Sequence, residues 1–135
     1  MPFKTQYSFE KRLLEAQRII TKYPDRIPVI CEQSKNQYLP ALNKVKYLVP
    51  SDLTIGQFIC VIRNRMKLDS THALFVTIEG YIPPSLMRIG ELYEGSRYAD
   101  GFLYIEYCQE NTFGYGDTPY APFYGDTPYA PFTIK

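Results

Sequence analysis

The sequence predicts an α+β domain: a four-stranded mixed sheet, a helix packed across it, and a helical arm in front. Three observations lead there. Tyr47-Leu48-Val49 is an aromatic, β-favouring run that passes almost directly into a helix start. Residues 73–78 form a continuous apolar run of the kind a buried strand shows, and residues 102–107 alternate. The elements fall in the order α-β-β-α-β-α-β, and the 135 residues suffice for one domain around one core.

Taken in order, residues 3–23 read as helix. Ser8 can cap it, and Phe9, Leu13, Ala16, Ile20 and Tyr23 follow helical spacing. A break near Tyr7 would give two short helices, and Tyr23-Pro24 stops the run because a residue before proline avoids the α region. Residues 27–32 are a strand, 33–44 a polar turn, and 45–49 a second strand, antiparallel to the first if joined as a hairpin. Pro50 lacks an N–H and is expected to end that ladder. Thr54 with Gln57 fits a capping box, and Ile55, Phe58, Ile59, Ile62 and Met66 line one face of the central helix.

Glu79-Gly80 turns the chain after the third strand. Pro83-Pro84-Ser85 reads as a helix start, with Leu86, Ile89 and Tyr93 on one face. Asp100-Gly101 is a turn. In the last strand Leu103, Ile105 and Tyr107 share one face, opposite Phe102, Tyr104 and Glu106. This order makes a ubiquitin-like β-grasp the first choice of arrangement. The division is an arm at 1–24, a core at 25–110, a short arm at 111–114 and an extension at 115–135. In the extension, residues 115–123 repeat identically as 124–132. Two copies are too few for a stacked solenoid. The density of Pro and Gly suits a propeptide or a disordered segment.

Net charge is +1 but uneven. Residues 1–50 carry nine Lys/Arg against four Asp/Glu, and residues 51–114 carry five against eight. A basic first part suits an acidic peptide or a membrane surface, and equally a solvated face. Cys31, Cys60 and Cys108 form no CxxC and cannot all pair, which suits a reducing, cytoplasmic setting. No apolar run reaches the roughly 18 residues of a membrane span, and no signal peptide opens the chain.

Catalytic chemistry is missing. His72 stands alone, without a second metal ligand nearby, and reads as structural. Cys31 and Cys60 sit in apolar elements. Cys108, at a strand end, is the most exposed thiol expected, yet no base accompanies it. No phosphate loop, nucleophile elbow or nucleic-acid motif appears. No catalytic residue, metal or cofactor is expected. What remains is a strand edge at 46–49 that invites β-augmentation, its lysines serving equally as guards against aggregation. Beyond it lies a polar arm, Glu110-Asn111-Thr112-Phe113-Gly114, whose last residue lacks the side chain that a narrow enzyme tunnel would exclude.

Several runs then point to one family. Phe9-Glu10-Lys11-Arg12, Arg26-Ile27-Pro28-Val29-Ile30-Cys31-Glu32, Lys46-Tyr47-Leu48-Val49-Pro50, Asp52-Leu53-Thr54-Ile55-Gly56-Gln57-Phe58, Asp100-Gly101-Phe102-Leu103-Tyr104 and Glu110-Asn111-Thr112-Phe113-Gly114 stand in order. Together they resemble the autophagy ubiquitin-like modifiers, the GABA-receptor-associated-protein and microtubule-associated light-chain family. The resemblance implies a ubiquitin-like fold with two added N-terminal helices. It implies cleavage between Gly114 and Tyr115 by a cysteine protease. E1-like and E2-like enzymes would then join Gly114 to phosphatidylethanolamine. A cytoplasmic precursor would thereby move to autophagosome and vesicle membranes. Its partners would be those enzymes, the membrane, and cargo receptors with short aromatic-x-x-aliphatic motifs, not nucleic acid.

The same resemblance implies a receptor surface. A first pocket, for the aromatic anchor, would use Glu15, Ile19, Pro28, Ile30, Lys46, Leu48 and Phe102. A second, for the aliphatic anchor, would use Tyr47, Val49, Pro50, Leu53, Phe58 and Ile62. Arg26, Lys44 and Arg65 would meet acidic flanking residues. Glu15 and Lys46 also suit an ordinary surface pair, and Phe58 and Ile62 also suit the core. Each tail copy holds Asp-Thr-Pro-Tyr-Ala-Pro-Phe, which faintly resembles such a ligand, although Pro122 and Pro131 lack strand donors. An alternative function is a non-conjugated trafficking or microtubule-associated module with the same fold. Gly114 discriminates: only the conjugated protein yields a product ending there.

Overall fold

The predicted N-terminal helix divides at Tyr7, whose backbone is extended, into α1 (Phe3–Gln6) and α2 (Phe9–Lys22). Ser8 starts the second piece, its Oγ accepting from the Lys11 N–H at 3.2 Å. The computed structural model describes residues 2–34, 42, 44–68 and 73–109. After α2 come β1 (Arg26–Gln33), β2 (Lys46–Pro50), α3 (Ile55–Met66), β3 (Leu74–Thr77), α4 (Ile89–Ser96) and β4 (Leu103–Gln109).

The sheet order is β2-β1-β4-β3. β1 runs antiparallel to β2 and parallel to β4, and β3 runs antiparallel to β4, so the sheet is mixed, as expected. Strand alternation sorts side chains onto two faces. Val29, Cys31, Tyr47, Val49, Leu103, Ile105 and Tyr107 pack with Phe58, Ile59 and Ile62 of α3 in the main core. Ile30 and Phe102 turn the other way and meet Phe3 of α1 and Ala16 of α2. The N-terminal arm therefore covers the face that α3 leaves open.

The capping box at the start of α3 is formed. Thr54 Oγ1 accepts from the Gln57 N–H at 3.2 Å, and Gln57 Oε1 accepts from the Thr54 N–H at 3.0 Å. Lys67 ends the helix in the left-handed region, at φ 58°.

Three details differ from the sequence reading. The buried face of α2 is Arg12 and Ala16, while Phe9, Ile20 and Tyr23 stay exposed. The spacing was helical, but a buried salt bridge, not a greasy stripe, seats this helix. Pro50 lies within β2 opposite Arg26, so the ladder runs one residue further than expected. α4 begins at Ile89, not near the prolines. Residues 84–87 form a turn closed by the Met87 N–H on the Pro84 carbonyl at 3.1 Å, and Leu86 is 80 % exposed. The helix start is set by Glu91, whose Oε1 accepts from the Arg88 N–H at 3.0 Å.

Candidate functional site: the β2 edge

β2 is an outermost strand of the sheet; one side pairs with β1 and the other carries no strand among the described residues. Among the described residues that side is therefore an open edge, the setting in which a strand can be added. Alternation gives the edge two different faces. Tyr47 and Val49 point into the α3 core and are buried; Lys46 is exposed and Leu48 half-buried toward the α2 side. Residues three apart on any strand laid alongside fall on opposite faces. Two anchors in an aromatic-x-x-aliphatic pattern would thus straddle the edge, one on each side.

On the α2 side, Lys46 Nζ donates to Glu15 Oε2 at 2.8 Å, with the side chains 51 % and 24 % exposed. Such an exposed pair contributes about 0.2–1 kcal/mol, so a ligand carboxylate can replace Glu15 at little cost. Beneath it, Pro28, Ile30 and Phe102 are buried, and Ile19 and Leu48 are half-buried. On the α3 side, Leu53, Phe58 and Ile62 are buried and Pro50 is half-buried. Phe58 stands edge-on to Tyr47, 6.2 Å between ring centres. The Arg65 guanidinium lies 5.7 Å from the Tyr47 ring centre. Burial pushes the Tyr47 hydroxyl up to about 12.

The three basic positions differ in setting. Lys44 and Arg65 are exposed. Arg26 is half-buried, and its Nη1 is buried without a hydrogen-bond partner. A buried donor without an acceptor is costly. Gly114 and Tyr115, and likewise His72, lie outside the described residues.

Sequence reasoning missed the arm's own attachments. Phe3 sits among Tyr7, Phe102 and Tyr104, with ring centres 5.1, 5.3 and 6.4 Å away. The Phe3 N–H donates to Glu32 Oε2 at 2.7 Å, and Lys4 Nζ lies 3.7 Å from the Tyr98 ring centre. Most of these contacts join the chain's start to β1 and to residues 98–104, and local periodicity does not report such distant pairs.

The thiols also need correcting. Cys108 is buried, because β4 continues past it and pairs it with Phe75 of β3. Cys60, half-buried, is the more accessible thiol. Burial pushes the Cys108 thiol up to about 11 and the Cys31 thiol further still. Among the described residues no group of three His, Cys, Asp or Glu is placed to hold a metal. Among them, too, no helix is long and apolar enough to cross a membrane.

The family described as "Autophagy protein Atg8 ubiquitin like" matches residues 11–114. The chain belongs to the Atg8 family. Autophagy-related protein 8 of Schizosaccharomyces pombe is 54% identical over 112 residues, covering 83% of this chain and 93% of that one. The Mycosarcoma maydis protein of the same name is 52% identical, covering 83% and 95%. Autophagy-related protein 8e of Arabidopsis thaliana is 52% identical, covering 83% and 92%. The fold matches the crystal structure of Trypanosoma brucei ATG8 with a TM-score of 0.79 at 40% identity, covering 84% of this chain and 98% of that one. This Atg8-family chain is therefore an autophagy ubiquitin-like protein with the expected β-grasp fold, a modifier and not an enzyme.

Proposed function

We propose that this chain is cut after Gly114, joined through that glycine to phosphatidylethanolamine, and used on autophagosome and vesicle membranes as a peptide receptor. Its ligands are short acidic segments with an aromatic and an aliphatic residue three apart. The free edge of β2, with one exposed basic face and one face over the α3 core, is the observation that carries the receptor half. The family match that stops at residue 114 supports the conjugation half.

The chemistry fits. One acyl chain anchors a protein only marginally, whereas a phospholipid brings two. Two buried anchors at about 1.5–3 kcal/mol each, a few strand hydrogen bonds and the cost of association give an affinity of about micromolar. Weak single contacts become firm on a membrane carrying many copies.

The test is reconstitution. The purified chain is incubated with a family protease, E1-like and E2-like enzymes, ATP and phosphatidylethanolamine vesicles, then weighed by mass spectrometry. A product ending at Gly114 and a lipid adduct on it are expected, with Gly114→Ala giving no adduct. An intact mass unchanged under all conditions would refute conjugation. Separate titration with an acidic aromatic-x-x-aliphatic peptide tests the groove.

A further inference from the structure

We propose that Tyr98, Tyr104, Glu79 and Glu106 form a second binding site, a cage for the ammonium of a lysine side chain on a partner polypeptide, and that N-methylation of that lysine tightens it. The site stands apart from the β2 edge and does not depend on the groove reading. Two strand spacings, about 10 Å, separate β4 from β2.

Two walls of the site are aromatic. Tyr98 and Tyr104 meet edge to face, with 5.6 Å between ring centres and 78° between planes. Rings set this way make a corner. A corner suits a compact ammonium, whereas a flat guanidinium stacks better in a parallel slot. The corner is fixed before a guest arrives. The Tyr104 hydroxyl donates to buried Asp100 at 2.6 Å. The Tyr98 N–H donates to the Phe102 carbonyl at 2.8 Å, and the Tyr98 carbonyl accepts from the Gly101 N–H at 2.9 Å. Such preorganisation leaves less freedom to lose on binding.

The chain already keeps an ammonium in this corner. Lys4 Nζ lies 3.7 Å from the Tyr98 ring centre and 4.5 Å from that of Tyr104. Lys4 neither fills nor neutralises the site. A cavity of about 280 Å³ opens beside it, with Glu79 and Glu106 on the wall. Pockets for drug-sized ligands run to about 300–1,000 Å³, so this one suits a single side chain. Among the described residues no carboxylate lies within 4 Å of the Lys4 ammonium. One cation against two carboxylates leaves the lining acidic. Glu79 also sits in the left-handed region, at φ 52°, ahead of Gly80 at φ 87°. That conformation is uncommon for a glutamate, and the turn bears it while presenting a carboxylate to the cavity.

A guest takes the corner by evicting Lys4. The arm stays in place, because Phe3 is buried among its own neighbours and its N–H donates to Glu32 at 2.7 Å. Methyl groups keep the charge of an ammonium and favour aromatic cages. A dimethylated lysine still has one N–H for a carboxylate. Acetylation removes the charge and with it the attraction to the rings. The expected order of affinity is dimethyl-lysine, then lysine, with acetyl-lysine not bound. An exposed cation–ring contact is weak, so removing Lys4 as competitor should tighten a guest about threefold.

The experiment uses the full chain with carbon-13 in its tyrosine rings, followed by nuclear magnetic resonance. The probes are Nα-acetyl-lysine amide, its Nε-dimethyl and Nε-acetyl forms, and choline. Dimethyl-lysine should shift the Tyr98 and Tyr104 rings, at lower concentration than lysine does. Lys4→Met should tighten it about threefold, Glu106→Gln should weaken it, and Tyr98→Ala should abolish it with an unchanged far-ultraviolet circular dichroism spectrum. Ring shifts absent with both ammonium probes, in wild type and in Lys4→Met alike, overturn the proposal. Acetyl-lysine binding as tightly as dimethyl-lysine overturns it too, since charge would then be irrelevant. Choline binding more tightly than dimethyl-lysine overturns the assignment to a lysine in favour of a quaternary headgroup.

Discussion

Arg12 and Asp100 are 88 positions apart in the chain, yet Arg12 Nη1 donates to Asp100 Oδ2 at 2.6 Å. Asp100 is fully buried and Arg12 is 7 % exposed. The carboxylate is well supplied: Oδ1 accepts from the Phe102 N–H at 3.0 Å, and Oδ2 also accepts from the Tyr104 hydroxyl at 2.6 Å. Arg12 Nε donates to the Tyr7 carbonyl at 3.2 Å, at the break between α1 and α2. One ion pair thus fixes the arm against the start of β4. The Tyr104 hydroxyl is driven well above its usual range by burial and by its bond to Asp100.

Removing either partner should cost far more than a surface charge would. Arg12→Ala or Asp100→Ala leaves the other group buried without its counter-charge, a loss of about 3–5 kcal/mol. Urea unfolding followed by far-ultraviolet circular dichroism measures it. The double change Arg12→Met with Asp100→Leu should be less harmful than either single change, since no charge is then stranded.

Two glycines should respond in opposite directions to alanine. Gly101 has φ +93°, and a Cβ there would stand 2.9 Å from the Ala16 Cβ. Gly101→Ala is expected to destabilise by about 1–3 kcal/mol through strain and through pushing α2 away. Gly95 lies in α4 with nothing within 4 Å of its would-be Cβ. Gly95→Ala should stabilise by about 0.5–1 kcal/mol. Thermal melts of the two variants and wild type decide both.

Stability should fall in alkali. Burial raises Cys31, Cys108, Tyr47 and Tyr107 and holds them neutral in the folded state. Below the ordinary thiol value both states are protonated, and these groups change nothing. Above it the unfolded chain loses protons that the folded chain keeps, so unfolding is favoured as pH rises. The loss should begin near pH 9 and continue through about 11, where the folded Cys108 titrates. Chemical denaturation at pH 7, 9 and 10.5 gives the slope. In the same chain at pH 8, a thiol reagent should label Cys60 first and the other two cysteines only after unfolding.

Reversing the charge at the groove should separate binding from folding. Lys46→Glu removes an exposed pair worth about 0.2–1 kcal/mol and places a like charge beside Glu15, so stability should change little. Acidic-peptide affinity should fall about tenfold, with a smaller gap at 1 M salt, where charges are screened beyond about 3 Å. Isothermal titration at two salt concentrations reads this. Affinity unchanged at low salt would remove Lys46 from the site.

The β1–β2–α3 unit was legible because its signals are local. Alternation, a capping box and one apolar helical face need no distant residue. The first face of α2 was misread because Arg12 is buried by a partner that sequence spacing cannot supply. α4 was placed too early since Pro83-Pro84 suits a turn as well as a helix start, and only Glu91 settles which. Cys108 looked terminal because the length of β4 depends on β3. For the groove, the edge position of β2 was readable from the hairpin and the alternation. Which side chains lie open there depends on how α2 seats, and that depends on Arg12 and Asp100.

Among the described residues, the strand made last stands in the middle of the sheet, between β1 and β3. During synthesis, β1 must wait with one flank unfilled while everything up to the Asp100-Gly101 turn is produced. A nascent chain at that stage presents Val29, Ile30 and Cys31 to its surroundings, and is a natural client for chaperones. Loss of β4 by a premature stop would leave no smaller unit able to close. Abundance in the cell should therefore respond to such lesions as a switch, with full-length protein or none.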